Sequence, residues 1–442
     1  MPAAAATSAG TSHRPPRRRR RPRGRAAAAV AAVALLAVPV LAGCTGTTTV
    51  GSTGTVTLTT ARSGAPSGAV PATTPTPVTP DGMLTGVGVT DSAITLGVLA
   101  DRDLDRGFTA GVRLWRSSVN ASGGICGRTI ELATADPERG ALTGYRSLAP
   151  QVLGMLALPA AGDRSALDAA AAADGMPVLE AGGSSAALTT RGPVVLGATE
   201  DITAINALAY LASTGVLVDG TVLGVLADTT SDAADALAGV RWWAGRNGVR
   251  LDVRAGLRAS TTGWSGAAAV LALTTPDRVG AVLAATTAPT PVVTTLDGYR
   301  PASVPATDQD RLLIGLQTPA FGSDQPAAAA VARAYAAAGG TAPGPRLLSG
   351  YAVAAGWGRL LDEACTARAL TRQGVTTAMT TVGPAPVDSL FGPSDPGLVV
   401  RSALPATRVS SMAQADLSAQ AGLRPLIWSQ AAAGIGDYVP PR

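Results

Sequence analysis

Apolar and polar positions follow each other along this chain in two rhythms. Ile94–Ala100 is a short, nearly continuous apolar run, long enough for a buried strand and too short for a helix. Phe108, Val112, Leu114, Trp115 and Val119 then recur at helical spacing, which predicts a helix over Gly107–Asn120 with one buried stripe. Three glycines break Ala121–Gly127, and Thr129–Thr134 alternates as a second strand. A strand, a crossover helix and a strand make a parallel βαβ unit, and hence an open α/β sheet. Ligands of such sheets gather at the carboxyl ends of strands. In this first unit that end is Asp101–Asp105.

The same alternation continues. Strands are predicted at Val152–Leu158, Pro177–Glu180, Val194–Ala198, Thr221–Asp228, Leu251–Leu257, Ala281–Ala285 and Leu312–Leu316. Helices are predicted between them at Asp163–Ala173, Ile202–Ser213, Asp232–Gly245, Trp264–Leu273 and, more weakly, Pro289–Gly298. Ala-rich helices follow at Gln325–Ala338 and Leu348–Ala364. A further helix, Thr371–Thr380, has Arg372 against its macrodipole, so Thr371 must set its start as the cap. Late strands are predicted at Leu398–Ser402 and Leu426–Ser429. Two runs of strand–helix alternation imply an α/β chain folded as two doubly wound, Rossmann-like lobes.

The amino-terminal part is built differently. Residues 1–25 are basic and Pro-rich, Ala26–Ala42 is apolar, and Leu41-Ala42-Gly43-Cys44 follows. That order describes a secretory signal over residues 1–43. The Leu-Ala-Gly-Cys ending resembles a bacterial lipobox, which would make Cys44 the lipidated first residue of the mature chain. Residues 44–86 are mostly Thr, Ser, Gly and Pro with little charge, a composition that buries too little apolar surface to fold and serves as a tether.

This changes the meaning of the net charge. The formal charge of +5 over 442 residues comes from eight arginines ahead of Cys44, where no acidic residue occurs. What remains is slightly acidic, so no basic body is left to hold a nucleic acid. The single His is His13, which excludes a Ser-His-Asp triad and a His metal site from the folded part. Gly-x-Ser-x-Gly, Gly-x-x-x-x-Gly-Lys and Cys-x-x-Cys are absent as well. No enzyme activity, cofactor or metal is therefore expected.

Several stretches share order and spacing with a known family. They are Ile94–Leu99, Val119-Asn120, Gly123–Leu132, Gly175–Leu179 leading to Gly182–Ser185, Gly350–Ala354 and Leu370–Val375. Together they resemble the type I periplasmic binding proteins, in the branch of Leu/Ile/Val-binding-protein-like solute-binding lipoproteins. The resemblance covers roughly residues 90–439. It implies two lobes joined by three crossings, with an interlobe cleft for a small polar, amino-acid-like solute and an ABC transporter permease as partner. The first lobe would take residues 87–199 and 321–380, and the second 200–320 and 381–442. Three stretches depart from the family pattern: Asp101–Asp105 is short and charged, Asp228–Ser231 lacks the usual aromatic, and Thr294–Arg311 is unlike the usual short helix-to-strand link. Ligand identity does not carry over. A sensor or scaffold module with a degenerate cleft is the alternative reading.

Within that frame, candidate ligand contacts are Asp101, Asp103, Ser184, Ser185, Asp228, Thr229, Asp297 and Tyr299. Asp101, Asp103 and Asp105 space their oxygens in a way that suits a hard cation, but the turn glycine and distal Glu of an EF-hand are missing. The loop is read instead as solvated, or as offering an acid to a ligand ammonium. Ser184 and Ser185 follow a strand, where hydroxyls and backbone N–H groups suit an anion. Asp228 either faces the cleft or caps the helix beginning near Ser231. Asp297 and Tyr299 either line the cleft or form a surface turn through Gly298. Gln317 and Phe321 lie near a crossing, and of Trp242 and Trp243 one ring is expected buried and one partly exposed. With Cys44 lipidated, Cys126 and Cys365 are the remaining thiols of an exported protein, and the family's crossings return both to one lobe. A disulfide between them is expected, stabilising by on the order of 4–5 kcal/mol in the chain-entropy account.

Overall fold

The computed structural model describes residues 82–100, 106–135, 140–157, 164–188, 192–382, 390–392 and 406–441. The signal segment, the tether as far as residue 81, Cys44, Asp101, Asp103 and the strand expected at 398–402 lie outside these residues; the last tether residues, 82–86, are folded instead, with Leu84–Thr85 in a strand.

The first part of the chain runs β1 (Leu84–Thr85), β2 (Ala93–Leu99), α1 (Arg106–Ala121), β3 (Thr129–Ala135), α2 (Ala141–Leu148), β4 (Gly154–Ala157), α3 (Arg164–Ala173), β5 (Val178–Glu180) and β6 (Val194–Val195). Strands β2 to β6 form a parallel five-stranded sheet in the order β3-β2-β4-β5-β6. The register sets Ile94 beside Ile130 and Leu96 beside both Leu132 and Gly154. Interior parallel strands are apolar on both faces because helices cover both. One face, with Ile94, Leu96 and Leu156, meets Phe108, Val112 and Trp115 of α1. The other, with Leu99, Met155 and Val178, meets Tyr145 and Leu148 of α2 and Leu167 of α3.

The chain then leaves for a second sheet through α4 (Glu200–Ser213), β7 (Val222–Ala227), α5 (Ser231–Arg246), β8 (Arg250–Ala255), β9 (Ala269–Leu273), α6 (Pro276–Ala285), β10 (Val292–Thr295) and β11 (Leu312–Leu316). Their parallel order, β8-β7-β9-β10-β11, repeats the winding of the first sheet. Helices α4 and α5 cover one face through Ile202, Ile205, Val240 and Trp243. Helix α6 and Trp264 cover the other.

After β11 the chain returns through α7 (Pro326–Ala337), α8 (Leu347–Thr366), β12 (Ala369–Leu370) and α9 (Arg372–Thr381). Helix α8 lies on the first sheet, where Trp357 Nε1 donates to the Met155 carbonyl at 3.2 Å. It crosses α1 at backbone contact: a Cβ on Gly111 would strike the Leu347 carbonyl, and one on Gly350 the Phe108 carbonyl. Thr371 caps α9 as expected, its hydroxyl accepting from Gly374 N at 3.0 Å. Finally β13 (Ser410–Ala415) and β14 (Leu423–Gln430) add antiparallel to β11 at the edge of the second sheet, which has seven strands.

Cys126 and Cys365 are joined, with their Cα atoms 6.1 Å apart. The bond ties the turn after α1 to the last turn of α8. The chain enters the fold beside that staple. Strand β1 pairs in parallel with β12, and Gly88 packs on Val152 and Leu153, just ahead of β4. This is the amino end of the first sheet.

Three predicted elements are corrected. Trp264–Leu273 is not a helix: Trp264 sits in a loop, its Nε1 donating to the Thr261 carbonyl at 2.7 Å, and Ala269–Leu273 is strand β9. Ala281–Ala285 is the second half of α6 rather than a strand. Pro289–Gly298 holds strand β10 and a 3-10 turn, Leu296–Gly298, rather than a helix. Strands β9 and β10 are buried at every position, so they carry no period of two to distinguish them from helix. The decisive mark was Thr275-Pro276, a cap position followed by Pro at the first helical residue. Helix α2 and strand β13 were not anticipated.

Candidate functional site

Helix α1 begins after the loop that follows β2, and Asp297 comes directly after β10. Both positions are carboxyl ends of parallel strands, one in each sheet. A cavity of about 680 Å³ lies between them, within the usual size of small-molecule sites. The first part of the fold contributes Arg106 and Gly107 of α1, one face of α7 and the segment 340–346. The second contributes Asp297, Tyr299–Ala302 and the turn at 419–422. Phe321, close to a crossing between the sheets, completes the wall and packs edge-to-face on Tyr335 of α7, with ring centroids 6.0 Å apart.

Specific contacts hold these pieces together. Gly107 and Gly344 meet backbone to backbone, so that a Cβ on Gly107 would lie 2.9 Å from Gly344 Cα. Arg346, just before α8, reaches across with Nη2 to the Leu296 carbonyl at 3.0 Å and to Asp297 Oδ1 at 2.7 Å. The Tyr299 hydroxyl donates to the Gly422 carbonyl, joining the turn between β13 and β14 to the residues after β10. Burial, with Asp416 adding, pushes the Tyr299 phenol above its usual value, so it stays a donor.

Of the candidates read from the sequence, Asp297 and Tyr299 line this cavity. Ser184, Ser185, Asp228 and Thr229 do not. Ser184 is buried and caps a short 3-10 turn, its Oγ accepting from Ala186 N at 3.2 Å. Ser185 donates both its backbone N–H, at 2.9 Å, and its hydroxyl to the carboxylate of Asp235. Asp228 is buried against Arg278 and accepts from Thr274 Oγ1 at 2.7 Å. It does not cap α5: Thr230 does, accepting from Ala233 N at 3.2 Å. Thr229 is exposed. Phe321 reaches the cavity, whereas Gln317 is buried and donates to Glu200 Oε1 at 2.9 Å. Trp243 is buried and Trp242 half-buried, as expected.

Sequence reasoning missed a buried acidic cluster at the first crossing. Glu200, Asp201 and Asp235 are all buried. Asp201 N–H donates to Asp235 Oδ2 at 3.3 Å, and Glu200 N–H donates to the Gly183 carbonyl at 3.0 Å. Burial raises the Glu200 carboxyl well above its usual range, with Asp297, Asp232 and Asp235 adding to the effect and Arg346 opposing it. Burial likewise pushes Asp235 up to about 7, helped by Asp201 and opposed by the hydrogen bonds from Ser185 and Asp201. Such shifts follow from withholding water from charged carboxylates that lack a cation in contact. Arg300, Arg346 and Tyr335 were also missed. For Arg346 the available signal was its place at the end of the Gly- and Pro-rich segment 339–345, a loop between two helices.

A family model of periplasmic binding proteins matches residues 93–398. The chain belongs to the periplasmic binding protein family. This agrees with the type I resemblance carried by Ile94–Leu132 and the later motifs, and the solved structures repeat the two-lobed α/β fold. The chain is similar to a fatty acid ABC transporter substrate-binding protein from Thermomonospora curvata, with a TM-score of 0.75 at 24% identity over 83% of this chain and 99% of that one. It is similar to a branched chain amino acid ABC transporter protein from Thermus thermophilus with bound valine, with a TM-score of 0.63 at 12% identity over 78% and 98%. A possible leucine/isoleucine/valine-binding protein from Rhodopirellula baltica SH 1 gives 0.61 at 16% identity over 78% and 98%. At these identities the likeness speaks for the fold. Comparison with curated protein sequences gives no match.

Proposed function

We propose that this periplasmic binding protein is an exported, lipid-anchored capture protein that closes its two lobes on a small organic solute and hands it to an ABC importer. The observation that carries the reading is the cavity of about 680 Å³ where carboxyl ends of both sheets meet. Open α/β sheets bind ligands at such ends, and hinged lobe pairs close around them. In this reading the first lobe is residues 87–199 with 321–380, and the second is 200–320 with 381–442. Cys44 carries the lipid, the permease is the protein partner, and the chain performs no chemistry on its solute. Similar structures are described as handling fatty acids and branched-chain amino acids, and both classes belong in a ligand search. Asp297 and Tyr299 are the contacts best supported. Ser184, Ser185, Asp228 and Thr229, with Asp101 and Asp103 of the loop after β2, are retained as contacts to be tested by substitution.

A sensor or scaffold role has one observation in its favour: Ser185 and Asp228 already spend their polar groups on Asp235 and Arg278. A thermal-shift screen separates the two readings, since a ligand that prefers the native state raises the unfolding midpoint. Organic acids, amino acids, amides, short peptides and sugars form the panel. A saturable rise with at least one of them is expected. A flat response across the panel favours the sensor or scaffold reading.

A further inference from the structure

We infer that the cavity takes an organic acid with an apolar or aromatic body, and that Arg300 grips its carboxylate; the inference rests on the solute-binding reading above. Arg300 lines the cavity and its side chain is 39% exposed. Its orientation is fixed from behind. Nε donates to Ser303 Oγ at 3.0 Å, Nη2 donates to Asp277 Oδ1 at 2.5 Å, and Ser303 Oγ donates to the same Asp277 oxygen at 3.1 Å. Three groups thus close a ring of hydrogen bonds on one side of the guanidinium. Among the described residues Nη1 has no partner in that ring or elsewhere. A cavity-lining arginine whose guanidinium is held by supporting hydrogen bonds and keeps a donor to spare has the make-up of a pre-organised carboxylate site.

The surroundings agree in sign and in shape. The described lining carries Arg106, Arg300 and Arg346 against one carboxylate, Asp297, which Arg346 engages at 2.7 Å. Among the described lining residues the one carboxylate is thus already engaged by a guanidinium, while Arg300 keeps a donor for a ligand carboxylate. Arg106 and Gly107 also bring the amino end of α1 to the wall, and no acidic residue stands in its first turn. The lining also has an apolar part, Phe321 packed on Tyr335 with Pro343 and Pro345. That surface suits a hydrocarbon or ring.

The test is isothermal titration of the full chain with phenylacetate and octanoate, their neutral amides phenylacetamide and octanamide, and the amino acids phenylalanine and leucine. At least one acid is expected to bind about ten-fold or more tightly than its amide, the margin of a charge-assisted hydrogen bond. Arg300→Gln should bring the acid to the level of its amide and leave the amide unchanged. Arg300→Lys, which keeps the charge and loses the fork, should recover part of the difference, and Asp277→Asn should cost less than Arg300→Gln. Arg300 lies on the surface, so these variants should keep the thermal midpoint of the parent. An amide bound as well as its acid, an acid unaffected by Arg300→Gln, or an amino acid bound in preference to both acids would overturn the inference while leaving solute binding intact. Failure of every probe here and of the wider thermal-shift panel would overturn both.

Discussion

Ser185, which opens the short 3-10 turn a few residues after β5 of the first sheet, donates both its backbone N–H and its hydroxyl to Asp235, on α5 beside the second sheet. The bond spans the two halves of the fold next to the first crossing. Its acceptor is a buried carboxyl whose ionisation is pushed up to about 7 by burial and by Asp201. In the unfolded chain the same group returns to the ordinary Asp value of 3.8.

The sign of the pH effect follows. A raised folded value means that the native state holds a proton the unfolded chain has released. The stabilising contribution is complete below the unfolded value and is lost as pH rises through the folded one, a window from about 4 to about 7. Glu200 works in the same direction. Asp235→Asn keeps an acceptor oxygen for Ser185 and cannot ionise. The variant is therefore expected to gain on the parent, by a few kcal/mol at most, as pH is raised from 4 to 8. Urea unfolding of both proteins across that range measures it. Parallel stability curves would show that Asp235 does not titrate in the window.

A second prediction concerns Cys44. The order of a basic stretch, an apolar stretch and Leu41-Ala42-Gly43-Cys44 motivates it. Mass spectrometry of the exported protein should find a mature chain that begins at a diacylglyceryl-modified Cys44. Cys44→Ala should release the protein from membranes. Retention of that variant, or a mature chain beginning elsewhere, rules the anchor out.

The third prediction tests the bond between Cys126 and Cys365. It closes a loop across 239 positions, and chain-entropy reasoning allows stabilisation of about 5–6 kcal/mol at that length, with measured bridges often giving less. Cys365→Ser paired with Cys126→Ser should lower the urea midpoint and leave solute affinity within a few-fold of the parent. Non-reduced peptide mapping should recover the linked pair. An unchanged midpoint, or free thiols in freshly isolated protein, would remove the staple from the account of stability.

Much of this architecture was legible because its strands and helices differ in length and period. Ile94–Leu99, the stripe from Phe108 to Val119 and Thr129–Ala135 each announce themselves, and the later motifs place the family. Reading failed where burial is complete. Ala269–Leu273 and Val292–Thr295 are interior strands without alternation, and the Ala-rich sequence around them suits a helix equally well. The site was less legible than the fold for a different reason. Ser185 and Asp228 have the right chemistry at strand ends, yet Asp235 and Arg278, fifty residues further along in each case, already occupy them. Arg300 looks like any surface arginine until the fold brings Asp277 and Ser303 behind it. Partners that distant in sequence leave no local pattern.

The point where the chain joins the fold has a mechanical meaning. Leu84 and Thr85 pair with Ala369 and Leu370, a few residues beyond the stapled end of α8, at the edge of the first sheet remote from the carboxyl ends of its strands. Tension arriving along the preceding residues loads this short ribbon in shear, and the covalent link between α1 and α8 lies directly behind it. The described passages between the sheets, after β6 and after β11, are not in that line. In the anchored reading proposed above, a pull on the amino-terminal side falls on the half of the fold that holds the first sheet and leaves the closing motion of the other half unloaded.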